Sequence, residues 1–135
     1  MNVDFFHVAD EAVISIEGKL SAVGIFDLIW TESVPAIQAR LALLARVSCA
    51  VHEGSRHQMQ IQFVGEDGEV TWESPVGPID LVPRGPGYPM TANVAISLTF
   101  LALPKFGDYA FKLLVDDTPV GTASLAVRPL AEHQG

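Results

Sequence analysis

Hydrophobic and polar residues take turns along most of this chain, and the period is two. In the C-terminal third, Tyr109, Phe111, Leu113 and Val115 alternate with Ala110, Lys112, Leu114 and Asp116. That is the rhythm of a strand with one buried face. Asp116-Asp117-Thr118-Pro119 makes a polar, proline-marked break, and a second run, Val120–Val127, completes an antiparallel pair.

The rhythm recurs upstream. Val3–Val8 reads as a short strand with Phe5 and His7 on one side and Phe6 and Val8 on the other, and Ala12–Ile16 extends it past a bulge. Lys19–Val34 is apolar on both parities, which predicts one long strand, central or covered on both sides. Gly24 inside it marks a bulge or a close backbone approach. Asp27 reads as a cap on a neighbouring loop, ahead of a ligand-facing carboxylate. Ile37–Val51 places Ile37, Ala39, Leu41, Leu43, Ala45, Val47, Cys49 and Val51 on one parity. A helix would also align Ile37, Leu41 and Leu44, but so sustained an alternation favours a strand. His57–Val64 turns Met59, Ile61 and Phe63 inward and three glutamines outward. Gly65-Glu66-Asp67-Gly68 is a hairpin turn leading to Glu69–Glu73. In Ala92–Leu103 the inward set is Val94, Ile96, Leu98 and Phe100.

Ser74–Thr91 breaks the pattern. It holds five of the nine prolines and three glycines, so it cannot be a central strand and reads as a rigid crossover or a functional loop. Strands with turns at this spacing predict an all-β fold: an antiparallel β-sandwich of seven to nine strands, immunoglobulin-like or of related Greek-key topology. The expected layout is a single domain over residues 1–129 and a short flexible tail over 130–135.

Two resemblances refine this. Gly107-Asp108-Tyr109-Ala110-Phe111 resembles the tyrosine corner of immunoglobulin-like sandwiches, with Phe111 where a cysteine is usual. It implies that Ala92–Leu103 is strand E and Val120–Val127 strand G. The chain also resembles a family of small bacterial proteins of unknown function. That likeness rests on Asp4-Phe5-Phe6-His7-Val8-Ala9-Asp10, on Gly18-Lys19-Leu20 with Gly24-Ile25-Phe26-Asp27, and on Gly107-Asp108-Tyr109 leading to Leu113-Leu114-Val115-Asp116. It implies a β-rich domain and brings no activity or ligand.

Charge narrows the partners. Sixteen acidic residues against eight basic give a formal net charge of −8, which repels nucleic acid and anionic membrane surfaces. One cysteine, Cys49, leaves no internal disulfide and points to a reducing compartment. The first residues lack a basic, signal-like start, and the longest near-apolar stretch, Val94–Leu103, is about half of the ~20 residues a membrane helix needs. The expected location is the cytoplasm.

Candidate chemistry is thin. His52, His57 and Cys49 fall short of a zinc set. Asp108, Asp116 and Asp117 fall short of the oxygens that calcium takes. No G-x-S-x-G or phosphate-binding loop occurs. No cofactor, metal or catalytic residue is assigned, and the chain is read as no enzyme; an enzymatic alternative would need a buried ionisable cluster around Asp27 and His7. The leading expectation is an interaction or structural module that binds another protein or itself. Its candidate binding residues are Arg84 and Tyr88 in the proline-rich loop, with Trp72, and Trp30 on a strand that could face a second copy. The alternative is a small-molecule or carbohydrate-binding module using the 74–91 loop.

Overall fold

The alternating runs are strands. The computed structural model describes residues 1–134; Gly135, the end of the expected tail, lies outside the described residues. In chain order the strands are β1 (Asn2–Ile14), β2 (Leu20–Phe26), β3 (Leu28–Thr31), β4 (Ala36–Cys49), β5 (Arg56–Val64), β6 (Val70–Glu73), β7 (Gly77–Asp80), β8 (Met90–Leu103), β9 (Gly107–Val115) and β10 (Thr118–Pro129). A short 3-10 turn covers Val51–Glu53, and a helix, α1 (Leu130–Gln134), follows β10.

The strands form two layers. One sheet has the order β2-β1-β4-β8. The other has the order β3-β10-β9-β5-β6, with β7 also paired to β5. Pairing is antiparallel except between β3 and β10, which run parallel. The fold is therefore the expected all-β sandwich, with ten strands among the described residues instead of seven to nine and with one parallel edge. Phe63, Tyr109 and Phe111 line the inner face of the second sheet, with ring centroids 4.9 Å (Phe63–Tyr109) and 4.5 Å (Phe63–Phe111) apart. Leu41, Leu43 and Val47 meet them from the first sheet, fully buried. Aromatic stacking adds to the area these side chains remove from water.

Turn chemistry fixes the hairpins. Asp116 and Asp117 take φ of 50° and 67°, the left-handed pair that a two-residue hairpin needs and that Asp tolerates. At the β5–β6 turn the Gly68 N–H donates to the Gly65 carbonyl at 2.9 Å and the Glu69 N–H to Asp67 Oδ1 at 3.0 Å. Tyr109 Oη donates to the Lys105 carbonyl at 2.8 Å and accepts from the Lys105 N–H at 3.0 Å, which pins the turn before β9.

Three expectations need correction. Residues Lys19–Val34 are not one covered strand. They break at Asp27 into β2 and β3, which lie at the edges of different sheets. Asp27 is the exposed joint, and its carbonyl accepts the Ala126 N–H at 2.8 Å. The first strand is extended beyond Val8 as expected, but it stops at Ile14 and its register shift falls between Val3 and Phe5 instead of after Val8. It pairs with β4 as far as Ala9, then leaves β4 and continues with β2 to Ile14. The resulting hairpin arm folds back over the outer face of β4, and its Gly18 carbonyl accepts Asn93 Nδ2 of β8 at 2.9 Å. This is why Ala9 (0%), Ala42 (2%) and Leu44 (5%) are buried although they belong to the parity facing away from the main core. Gly24 takes φ 70° where the arm bends, and the Asp10 carboxyl occupies the space that a Cβ there would need, the close approach expected of it.

The third correction concerns Phe100, Ile37 and Val51, expected inward and found exposed. Leu101 and Leu103 face the core, and so do Leu98, Val94 and Met90. The step from Leu98 to Leu101 changes parity, and Phe100 makes the change by adopting φ 55°. On β4 the same switch separates half-buried Gln38 from buried Leu41, which turns Ile37 and Ala39, both expected inward, to the outside. Val51 lies in the 3-10 turn after β4 has ended.

Candidate interaction edge

Among the described residues the two sheets have four edges. β3 has four residues. The β6–β7 edge is interrupted at Ser74–Val76 and carries Glu73, Pro75, Pro78 and Asp80. β2 bends at Gly24. Those are the devices by which sheets discourage strand addition. β8 has none of them between Thr91 and Thr99: the run TANVAISLT contains no charge, proline or glycine. Valine, isoleucine and threonine hold it extended, and β4 pairs with it along its whole length.

The orientation of its free backbone groups can be read from Thr91. On the side away from β4, the Val82 N–H donates to the Thr91 carbonyl at 2.8 Å and the Thr91 N–H to the Val82 carbonyl at 3.2 Å. Alternate residues of a strand aim their N–H and C=O the same way. Asn93, Ala95 and Ser97 therefore present theirs to this edge, and beyond Thr91 no backbone hydrogen bond is made there among the described residues. Next to the far half of the edge runs a groove of about 340 Å³ between Thr71–Trp72 of β6 and Ser97–Ala102 of β8. Phe100 stands beside it, 75% exposed in its left-handed conformation. A bulky residue held there stores of order 1 kcal/mol or more of strain.

The candidate residues from the sequence do not converge. Trp72 lies in this groove, half-buried and packed on the core. Arg84 and Tyr88 are together on the exposed 82–89 loop, the guanidinium 5.4 Å from the ring centroid. Tyr88 also lines a hollow of about 410 Å³ with Asn2 and Ser48–Val51. Trp30 is half-buried on β3, in register with Arg128. His7 and Asp27, by contrast, are brought together: both line a hollow of about 500 Å³ with Phe26 and Thr122–Ser124, but both are exposed and form no buried ionisable cluster. A further cleft, about 270 Å³ between the Gly65–Asp67 turn and Pro104–Tyr109, is slightly below the usual ligand-pocket size of ~300–1,000 Å³.

One polar cluster was not legible in the sequence. His57, at the start of β5, has Nδ1 at 2.5 Å from Asp116 Oδ2 and Nε2 at 2.7 Å from the Gly54 carbonyl. Both partners only accept, so both ring nitrogens donate and the imidazole is held as imidazolium. The Asp116 carboxylate first, and the Gly54 carbonyl second, raise the His57 pKa. The Gln58 N–H and His57 lower that of Asp116. The cluster fastens the 50–55 loop to the β9–β10 turn. Cys49 Sγ also reaches the Gly54 carbonyl, at 3.7 Å. Among the described residues no three His, Cys, Asp or Glu side chains are placed to hold a metal ion, and no helix is long and apolar enough to cross a membrane.

No curated protein matches the chain. Residues 4–128, nearly all of the sandwich, match a family of unknown function, DUF6941. The chain belongs to that family.

Proposed function

We propose that the chain is a non-enzymatic protein-interaction module with an immunoglobulin-like sandwich, and that it binds an extended strand at the β8 edge. The observation that carries this reading is the contrast between edges. Among the described edges β8 alone offers an extended, uncharged run, Asn93–Ser97, with free backbone donors and acceptors, the arrangement used in strand addition. The groove at Trp72 gives side chains of an added strand somewhere to go. The immunoglobulin-like reading is supported by β4 beside β8, as B beside E, and by the order β5-β9-β10, as C-F-G. The Tyr109–Lys105 bonds support it too, since they resemble a tyrosine corner. A cytoplasmic, bacterial setting belongs to the same proposal and rests on the lone thiol and on the sequence resemblance.

The test is a native pull-down with the wild-type chain and with Ser97→Pro. Ser97 aims its N–H at solvent, so proline there removes an edge donor and no internal bond. We expect partner recovery with wild type and its loss with the variant. Equal recovery would move the binding surface elsewhere. A small-molecule or carbohydrate-binding role has one observation in its favour, the Arg84-stacked Tyr88 over its hollow. Under that reading Tyr88→Ala abolishes ligand-induced shifts in an NMR titration and Ser97→Pro does not.

A further inference from the structure

We infer that the strand taken up at this edge is β8 of a second copy, paired antiparallel about a two-fold axis through Ala95. The inference rests on the edge reading above and goes beyond it, because the order of side chains along the edge is nearly its own reverse. About Ala95 the sequence runs Thr91-Ala92-Asn93-Val94 on one side and Ile96-Ser97-Leu98-Thr99 on the other. Reversed against itself, Val94 meets Ile96, Asn93 meets Ser97, Ala92 meets Leu98 and Thr91 meets Thr99. Each is a match of like with like: β-branched aliphatic, small polar, aliphatic, threonine. Cross-strand pairs of these classes stabilise antiparallel sheets, and an isologous contact requires such self-complementarity.

The backbone agrees with the side chains. Asn93, Ala95 and Ser97 point their amides and carbonyls outward, and this register sets Asn93 against Ser97 and Ala95 against Ala95 of the second copy. All are hydrogen-bonded positions. The isolated Val82 bridge already fills the place beside Thr91, so pairing is centred on the Asn93–Ser97 segment and Thr99 of the second copy reaches Thr91 only by displacing that single bridge. No like charges are brought together, since none exists along the run.

Sedimentation velocity of the full chain over a concentration series is the test. The expected result is a concentration-dependent dimer whose dissociation constant rises at least ~10-fold in Ser97→Pro. Register is read separately. Ala95→Cys is expected to give a covalent dimer on mild oxidation, the opposed Cα atoms lying within the ~4.4–6.8 Å that a disulfide spans. Thr99→Cys, opposite Thr91, is expected to give no covalent dimer under the same conditions. Should either variant fail to fold, wild-type hydrogen exchange decides: the Ala95 and Ser97 amides are expected to slow as concentration rises. A monomer at every concentration that still loses a captured partner with Ser97→Pro overturns self-pairing and leaves strand addition standing. A dimer insensitive to Ser97→Pro, or equal cross-linking by both cysteine variants, overturns this geometry.

Discussion

Two side chains, His57 and Tyr109, each tie a turn to the sandwich through polar bonds at the margin of the core. The proton on His57 is held more tightly in the fold than in the unfolded chain, so its contribution is complete below the ordinary histidine pKa of about 6.5. It is lost as pH climbs through the raised folded value. Asp116 runs the other way. Its contribution is present above the ordinary carboxylate value of about 3.9 and is lost as pH falls through its lowered folded value. Glu53, on the adjacent 3-10 turn, adds negative potential at the same imidazole. Between those limits both contributions are present. We therefore expect urea midpoints to decline from about pH 6.5 upward and the decline to flatten in His57→Gln. A His57 NMR titration midpoint below 6.5 would refute the clamp. For Tyr109→Phe, which strips the Lys105 amide and carbonyl of their partner in a part-buried corner, we expect a loss of about 1 kcal/mol in chemical denaturation.

The arm and the parity switches belong to the scale of elements. Leu44 is buried beneath the arm and lies outside the main core cluster. Leu44→Ala should therefore loosen the arm selectively. The expected readout is faster hydrogen exchange at Ala12–Ala22 with the β5, β9 and β10 amides unchanged. Where β10 packs across the layers against β1, a Cβ on Gly121 would meet the Val3 side chain at 3.1 Å. Gly121→Val should cost about 1–3 kcal/mol by overpacking, seen as a lower thermal midpoint. Element type was legible: Leu41–Cys49 and Tyr109–Val115 alternate so regularly that little but a strand fits. Placement was not. An apolar strand flanked by two sheets and an apolar arm lying on its own sheet have the same polarity pattern, which is why Lys19–Val34 reads as central. Asp27, the joint between layers, carries no glycine or proline to announce it. Phe100 turns outward through a backbone angle that hydropathy does not record.

For the whole molecule, the candidate site divides in the same way. The absence of charge from Thr91–Thr99 is visible in the sequence, but its meaning depends on β8 ending a sheet, which only the strand order reveals. Trp72, Arg84, Tyr88 and Trp30 were singled out by residue type, and tertiary placement separates all but the stacked pair. The main core joins both layers through Phe63 and Phe111. We expect Phe111→Ala to cost about 3–5 kcal/mol and to lower the midpoint of the entire transition, in contrast to the local effect of Leu44→Ala. Cys49 offers a way to watch that transition. It is the chain's single cysteine, shut in at the end of β4, and burial, reinforced by Glu53, raises its pKa and keeps it protonated. A thiol so guarded hardly reacts with alkylating reagents until its surroundings come apart. The rate at which it is labelled is then a stopwatch for the opening of this end of the sandwich, and it needs no engineered reporter.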